Sequence, residues 1–367
     1  MLLFALIYIT ATLLATVMAR PKGSDFLRDR SRHTAHKLRG RVASCAHSPS
    51  SSDHIFSFDS SKHATRNITD GTHAGRSYLV HLPTNYDNSK KHAVILSFHG
   101  NGGTSAKQEA ITQLSNEGML INDIGIIVVY PQASLGKGRD GENLEYSWQG
   151  APYAADGVND VDFTRQILDE LTGHLSVDAQ RIYATGKSNG GGFTNLLACT
   201  TSINTRFAAF ATVSAALYPG TLPGVNTSDT STTCDPQRVT PILISHGYND
   251  TVVPYKGQLE RDGSEDYRTP DIDEFAKAWA SRNAKYAPTS STVSPNAKAR
   301  VTVKFDTSEP HTHTRERLSS SKKVQQFSLN NFGHCWPSKE GLDCDRASFD
   351  LTPANLLQFL EANPLEY

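Results

Sequence analysis

Arg181–Gly192, RIYATGKSNGGG, is the stretch whose reading decides the fold. Arg181 to Thr185 is a short β-rich run. The chain then turns through Gly186-Lys187-Ser188-Asn189-Gly190, and Phe193 to Ala198 reads as a helix. A strand, a Gly-x-Ser-x-Gly turn and a helix are the ingredients of a nucleophile elbow, in which a serine on a strained turn projects its hydroxyl from the top of a sheet. The glycines have a physical purpose: strand and helix pass so close at such a turn that only hydrogen fits as a side chain. The competing reading is a bland glycine-rich turn, and the rest of the chain decides against it.

Working outward, hydrophobic strands alternate with helices. Upstream, Ser77–Leu82 alternates like a strand; Ala93–Phe98 and Ile126–Pro131 are continuous apolar runs of the kind buried on both faces. Helices are expected over Ala106–Glu117 and Val161–Leu171. Downstream, strands are expected at Phe207–Val213, Pro241–His246 and Val324–Leu329, and helices at Ile272–Ala284 and Pro353–Ala362. Residues 285–323 are polar and Pro/Ser-rich, with a hairpin or long loop around Arg300–Phe305. This alternation predicts an α/β fold with a mostly parallel central sheet covered by helices on both faces. No repeat or small accessory module is visible, so residues 53–367 read as one catalytic domain.

The 367 residues carry a net charge of −1 with 38% hydrophobic content, which fits a globular chain with a sizeable core. Leu2–Met18 is uncharged and apolar, and Val17-Met18-Ala19 resembles a small-residue cleavage site, so residues 1–19 read as a secretory signal peptide. A signal anchor is the alternative, disfavoured because it would hold the disulfide candidates in the cytoplasm. Between Arg20 and Arg41 lie eight Lys or Arg against Asp25 and Asp29, a local +6 that leaves −7 elsewhere. Residues 20–52 therefore read as a basic pro-segment or linker rather than a nucleic-acid-binding arm, and no nucleic-acid partner is expected. The expected product is an extracellular monomer, free of the membrane after signal removal.

Five cysteines in a secreted chain suggest two disulfides with one left over. Cys199 pairs naturally with Cys234; Cys335 has Cys344 or Cys45 available. No CxxC spacing occurs, and His311-Thr312-His313 lacks a carboxylate or cysteine partner, so no metal and no cofactor is expected. Asp156, Asn159, Asp160 and Asp162 lack the Gly and Glu of a calcium loop and read as helix caps. Asn67 and Asn226 open N-glycosylation sequons; a third, at Asn249, sits beside a candidate catalytic residue and reads as unglycosylated.

A serine hydroxyl needs an adjacent base and a group that orients that base. In α/β-hydrolases the chain order is Ser, then Asp or Glu, then His. Ser188, Asp250 and His334 follow it, each in a loop after an expected strand, where such sheets expose their ligands. His246 as base, or Asp343 or Asp345 as acid, are weaker assignments; the latter two break the order. A merely structural His334 is the bland alternative. The oxyanion hole should use the backbone N–H of Asn189 and a donor from His99-Gly100-Asn101-Gly102-Gly103, with Gly100 and Asn101 the candidates. That loop lacks the Lys-Ser/Thr ending or GxGxxG spacing of a phosphate loop. Trp148, Tyr255 and Trp336, in loops at the same end, are candidates for an aromatic substrate wall, against the commoner role of core packing.

Together, Phe98-His99-Gly100-Asn101-Gly102-Gly103-Thr104, Tyr130-Pro131-Gln132, Ser147-Trp148-Gln149-Gly150-Ala151-Pro152-Tyr153, Gly186–Gly192 and Gly333-His334-Cys335-Trp336-Pro337 resemble the fungal-type feruloyl esterases of carbohydrate esterase family 1. That family is related to acetylxylan esterases and polyhydroxybutyrate depolymerases. The resemblance implies an α/β-hydrolase fold and hydrolysis of feruloyl esters on plant cell-wall polysaccharide such as arabinoxylan, with Ser188 as nucleophile, His334 as base and Asp250 as its orienter. Residues 20–43 are not a hallmark of the family, and residues 285–323 look diverged from it, which bears on substrate preference. An acetyl or hydroxybutyryl ester is the alternative substrate, and an inactive secreted carbohydrate-binding protein the reading of a different class.

Overall fold

A computed structural model describes residues 55–222, 234–286 and 323–366, and residues 302–305 by their backbone. The signal peptide, the basic segment, Cys45, Asn226 and the His311/His313 pair lie outside the described residues.

Nine strands form one sheet: β1 (His63–Asn67), β2 (Ser77–His81), β3 (His92–Phe98), β4 (Ile127–Pro131), β5 (Val177–Lys187), β6 (Ala209–Val213), β7 (Ile242–Gly247), β8 (Thr302–Phe305) and β9 (Val324–Leu329). Their order across the sheet is β1-β2-β4-β3-β5-β6-β7-β9-β8. β2 is antiparallel to both β1 and β4, and every other neighbouring pair is parallel. This is the α/β-hydrolase arrangement that the alternating pattern predicts. One correction concerns the region read as a hairpin or loop: β8 pairs with β9 in parallel, so it is an edge strand reached by a crossover, since a hairpin would pair antiparallel.

Apolar runs without alternation are what a sheet covered on both faces needs. Along β3, Val94, Leu96 and Phe98 join one core cluster and Ile95 the other, and all are fully buried. α2 (Asp160–His174) and α3 (Asn189–Cys199) contribute to the first cluster. The helical segment Thr352–Leu356 and Leu357–Glu361 contributes to the second. Every residue of α3 is buried, and its polar members Asn189, Thr194 and Asn195 are each hydrogen-bonded. The expected helix after β3 is shorter than its pattern: α1 (Ser105–Thr112) stops because Gln113 turns left-handed at φ 57°. At its start Thr104 Oγ1 accepts from Lys107 N. The aspartate cluster before α2 caps as expected, Asn159 Oδ1 accepting from Asp162 N at 3.0 Å. Asp160 is buried against Arg76 at 2.8 Å. Cys199–Cys234 and Cys335–Cys344 are disulfides, which settles the alternative left open for Cys335. Asn67 is exposed. Among the described residues no helix is long and apolar enough to cross a membrane.

Candidate active site

The elbow lies between β5 and α3. Ser188 has φ 55° and ψ −121°, a conformation costly for a residue with a Cβ and one that clusters at functional sites. The glycines around it are steric necessities. A Cβ on Gly186 would stand 2.3 Å from the Gly190 carbonyl oxygen, and one on Gly190 would stand 2.2 Å from the carbonyl oxygen of Phe98.

Asp250 follows β7 and His334 follows β9. His334 Nδ1 donates to Asp250 Oδ2 at 2.6 Å. Asp250 Oδ1 accepts from the backbone N–H of Val252 at 2.9 Å and of Val253 at 2.8 Å, so its carboxylate is fixed on both oxygens. Burial alone would raise the Asp250 pKa, but hydrogen bonds from His246 and His334 hold it well below the usual carboxylate range. Burial lowers the His334 pKa, the Asp250 hydrogen bond opposing it, so the imidazole is poised neutral. Ser188 and His334 line one cavity of about 390 Å³ together with Gly100, Asn101, Arg139, Asp140, Glu145, Lys187, Val252 and Arg261. No hydrogen bond joins Ser188 to His334 in this structure, and such contacts commonly tighten only with substrate in place.

The rival assignments fall to other tasks. His246 stands behind the acid, its Nε2 2.8 Å from the Val253 carbonyl and 3.2 Å from Asp250 Oδ2. Asp343 pairs with Lys187 at 2.5 Å and accepts from Trp336 N, while Asp345 accepts from Gly333 N at 2.9 Å. Both therefore brace the loop that carries His334.

The oxyanion candidates meet at the same point. Asn189 opens α3, where the first backbone N–H groups have no intrahelical acceptor. Gly100 packs against Ser188. The loop is held by His99, whose Nδ1–H donates to the Gly100 carbonyl at 2.7 Å while Nε2 accepts from Ala133 N at 3.2 Å. That pattern requires neutral imidazole, and burial lowers the His99 pKa to about 4.

The aromatic wall does not form, and all three candidates need correcting. Trp148 is fully buried, stacked on Phe193 at 5.3 Å; its indole N–H donates to the His99 carbonyl at 2.8 Å and its backbone N–H to Asn189 Oδ1 at 2.7 Å. It braces both Asn189 and the His99 loop from behind. Trp336 is buried with its Nε1 on Thr352, and Tyr255 is buried with its hydroxyl on Asp273. Closeness in sequence to His334 brought Trp336 near the site, but its own backbone turns the indole into the core. Missed from the sequence were Arg139 and Arg261, charged wall residues that carry only a faint signal: each heads an Arg-Asp-Gly turn.

No family model matches the chain. It is 30% identical over 186 residues to feruloyl esterase B of Piromyces equi, covering 51% of this chain and 31% of that protein. It is 30% identical over 185 residues to feruloyl esterase C of Emericella nidulans, covering 50% and 58%. Over half of its length the chain is similar to these feruloyl esterases. It spans less than two thirds of the length of either. The acetyl xylan esterase from Aspergillus awamori superposes with a TM-score of 0.46 at 18% identity, covering 74% of this chain and 94% of that one.

Proposed function

We propose that the chain is a secreted serine carboxylic ester hydrolase acting on feruloyl and related hydroxycinnamoyl esters of plant cell-wall polysaccharide. The observation that carries the reading is the convergence of Ser188, on its strained elbow, with a His334 held by a buried, doubly anchored Asp250. Ser188 Oγ attacks the ester carbonyl as His334 Nε2 takes its proton. The tetrahedral oxyanion is received by backbone N–H groups at Asn189 and the Gly100–Asn101 loop. Collapse expels the sugar alcohol, which receives the proton from His334 and leaves the acyl group on Ser188. Water, deprotonated by the same imidazole, then releases the acid and restores the serine. The apolar leader, the two disulfides and the exposed Asn67 sequon support secretion.

A second reading keeps the triad and changes the acyl group to acetyl. It is favoured by the cavity lining, which among the described residues includes no aromatic side chain. Steady-state hydrolysis of methyl ferulate, methyl sinapate and p-nitrophenyl acetate by wild type and Ser188→Ala separates the two. The expected result is turnover of methyl ferulate above acetate, lost by at least about 10⁴-fold on substitution. Acetate turnover alone would move the assignment to the acetyl ester, and none on any ester by folded protein would end the hydrolase reading.

A further inference from the structure

The wall of the cavity is charged in an unbalanced way. Three cations, Arg139, Lys187 and Arg261, line it with two anions, Asp140 and Glu145. Lys187 is neutralised by Asp343 at 2.5 Å. Asp140 spends its carboxylate on its own turn, accepting from Glu142 N and from Asn143. Glu145 accepts from the Asn101 side chain and from Arg139 N, a backbone group. The two guanidiniums are left. Among the described residues no carboxylate forms an ion pair with Arg139; Arg261 pairs with Asp262, its exposed neighbour, at 3.4 Å and lies over the Tyr267 ring at 5.7 Å. Arg139 Nε and Arg261 Nη1 are shielded from solvent and have no acceptor. Both guanidiniums line the cavity that holds Ser188, and 38% of the Arg261 side chain is exposed, so their remaining N–H groups are open to an anion from outside the protein.

We propose that Arg139 and Arg261 form a carboxylate-binding subsite beside Ser188, so that the preferred ester carries a carboxylate of its own. Guanidinium forks match carboxylate geometry and desolvate more readily than ammonium. The carboxylate has two possible sources: the acyl group, as in a dicarboxylic half-ester, or the alcohol, as in a uronic acid of an acidic polysaccharide. The inference rests on the hydrolase reading for its kinetic arm, but not for its binding arm.

The kinetic arm compares mono-p-nitrophenyl succinate with its methyl-capped neutral counterpart, and feruloylated or acetylated galacturonic acid with its methyl ester. The quantity read is the ratio of kcat/KM for the charged to the neutral member. In wild type the ratio exceeds one for whichever pair carries the carboxylate on the recognised side. It falls roughly tenfold in Arg139→Gln and in Arg261→Gln, mainly through KM. The binding arm titrates succinate and galacturonate into folded Ser188→Ala protein, with and without both arginine substitutions. Binding by the first and not the second supports the subsite even if no ester is turned over, in which case the hydrolase reading falls alone. Hydrolysis with equal ratios in wild type and variants, or acid binding that survives both substitutions, overturns the subsite.

Discussion

The floor and the wall of the cavity are built on opposite terms. Beneath the floor, Asp250 has both carboxylate oxygens occupied, His99 has both ring nitrogens occupied, and Gly186 and Gly190 leave no room for a Cβ. On the wall, Arg139 and Arg261 sit in turns with open exposure on one side and donors lacking acceptors. The floor is tied to strand ends of a buried sheet, and the wall to loops over it. Such a division lets the reaction be set by the scaffold while selectivity is tuned by substitutions that cost the fold little.

The largest break in this contrast is Asp250→Asn. An amide would present an N–H where His334 Nδ1–H needs an acceptor, trapping the wrong tautomer. A loss of about 10⁴-fold in kcat is expected on the best neutral ester, with KM little changed. A decrease under tenfold would show that His334 does not depend on Asp250. Next comes a pair of glycines. Gly190→Ala places a methyl 2.2 Å from the Phe98 carbonyl oxygen and 2.5 Å from that of His99, so the oxyanion loop must move; a stability loss of about 3 kcal/mol is expected. Gly173, in the open flank of α2, has nothing within 4 Å of a built Cβ, and Gly173→Ala should stabilise by about 0.5–1 kcal/mol. Urea unfolding of both reads the opposite signs directly. Equal effects would mean that the elbow is not tightly packed.

This division also explains what could be read from the chain beforehand. Continuous apolar runs gave β3 and β4 because burial on both faces leaves no room for polar residues. The proposed triad of Ser188, Asp250 and His334 was suggested by chain order, each residue following a strand. β8 was half legible: Val301-Thr302-Val303-Lys304-Phe305 alternates as a strand does, but a short run in a polar stretch does not say whether it pairs parallel or antiparallel. The three aromatics failed for a related reason. Position in a loop says that a side chain can reach the site, but the direction of Trp148 was set by Phe98 and Phe193, far away in sequence. Arg139 and Arg261 were beyond pattern reading because their significance lies in lining one cavity with Ser188, which is a property of three-dimensional packing.

The smallest effect separates floor from wall by pH and salt. In the proposed mechanism His334 must be neutral to accept the Ser188 proton, so activity is expected to rise with pH through its pKa. Burial lowers that pKa, Lys187 and His246 add to the lowering, and only Asp250 opposes it. The acid limb of kcat/KM on a neutral ester should therefore have its midpoint below 6.5, the ordinary histidine value. The native state binds this proton less readily than the unfolded chain, so stability too declines as pH falls below 6.5. His99 acts in the same direction, its loss continuing down to about pH 4. Because His334 and Asp250 are shielded, raising the salt from about 0.01 to 0.5 M should leave the kinetic midpoint within about 0.2 units. The same salt should erode the preference for carboxylate-bearing esters, since the guanidiniums are partly open to water and screened. A midpoint at or above 6.5, or one that moves with salt as the preference does, would place His334 in the same solvated environment as the wall and remove the distinction between them.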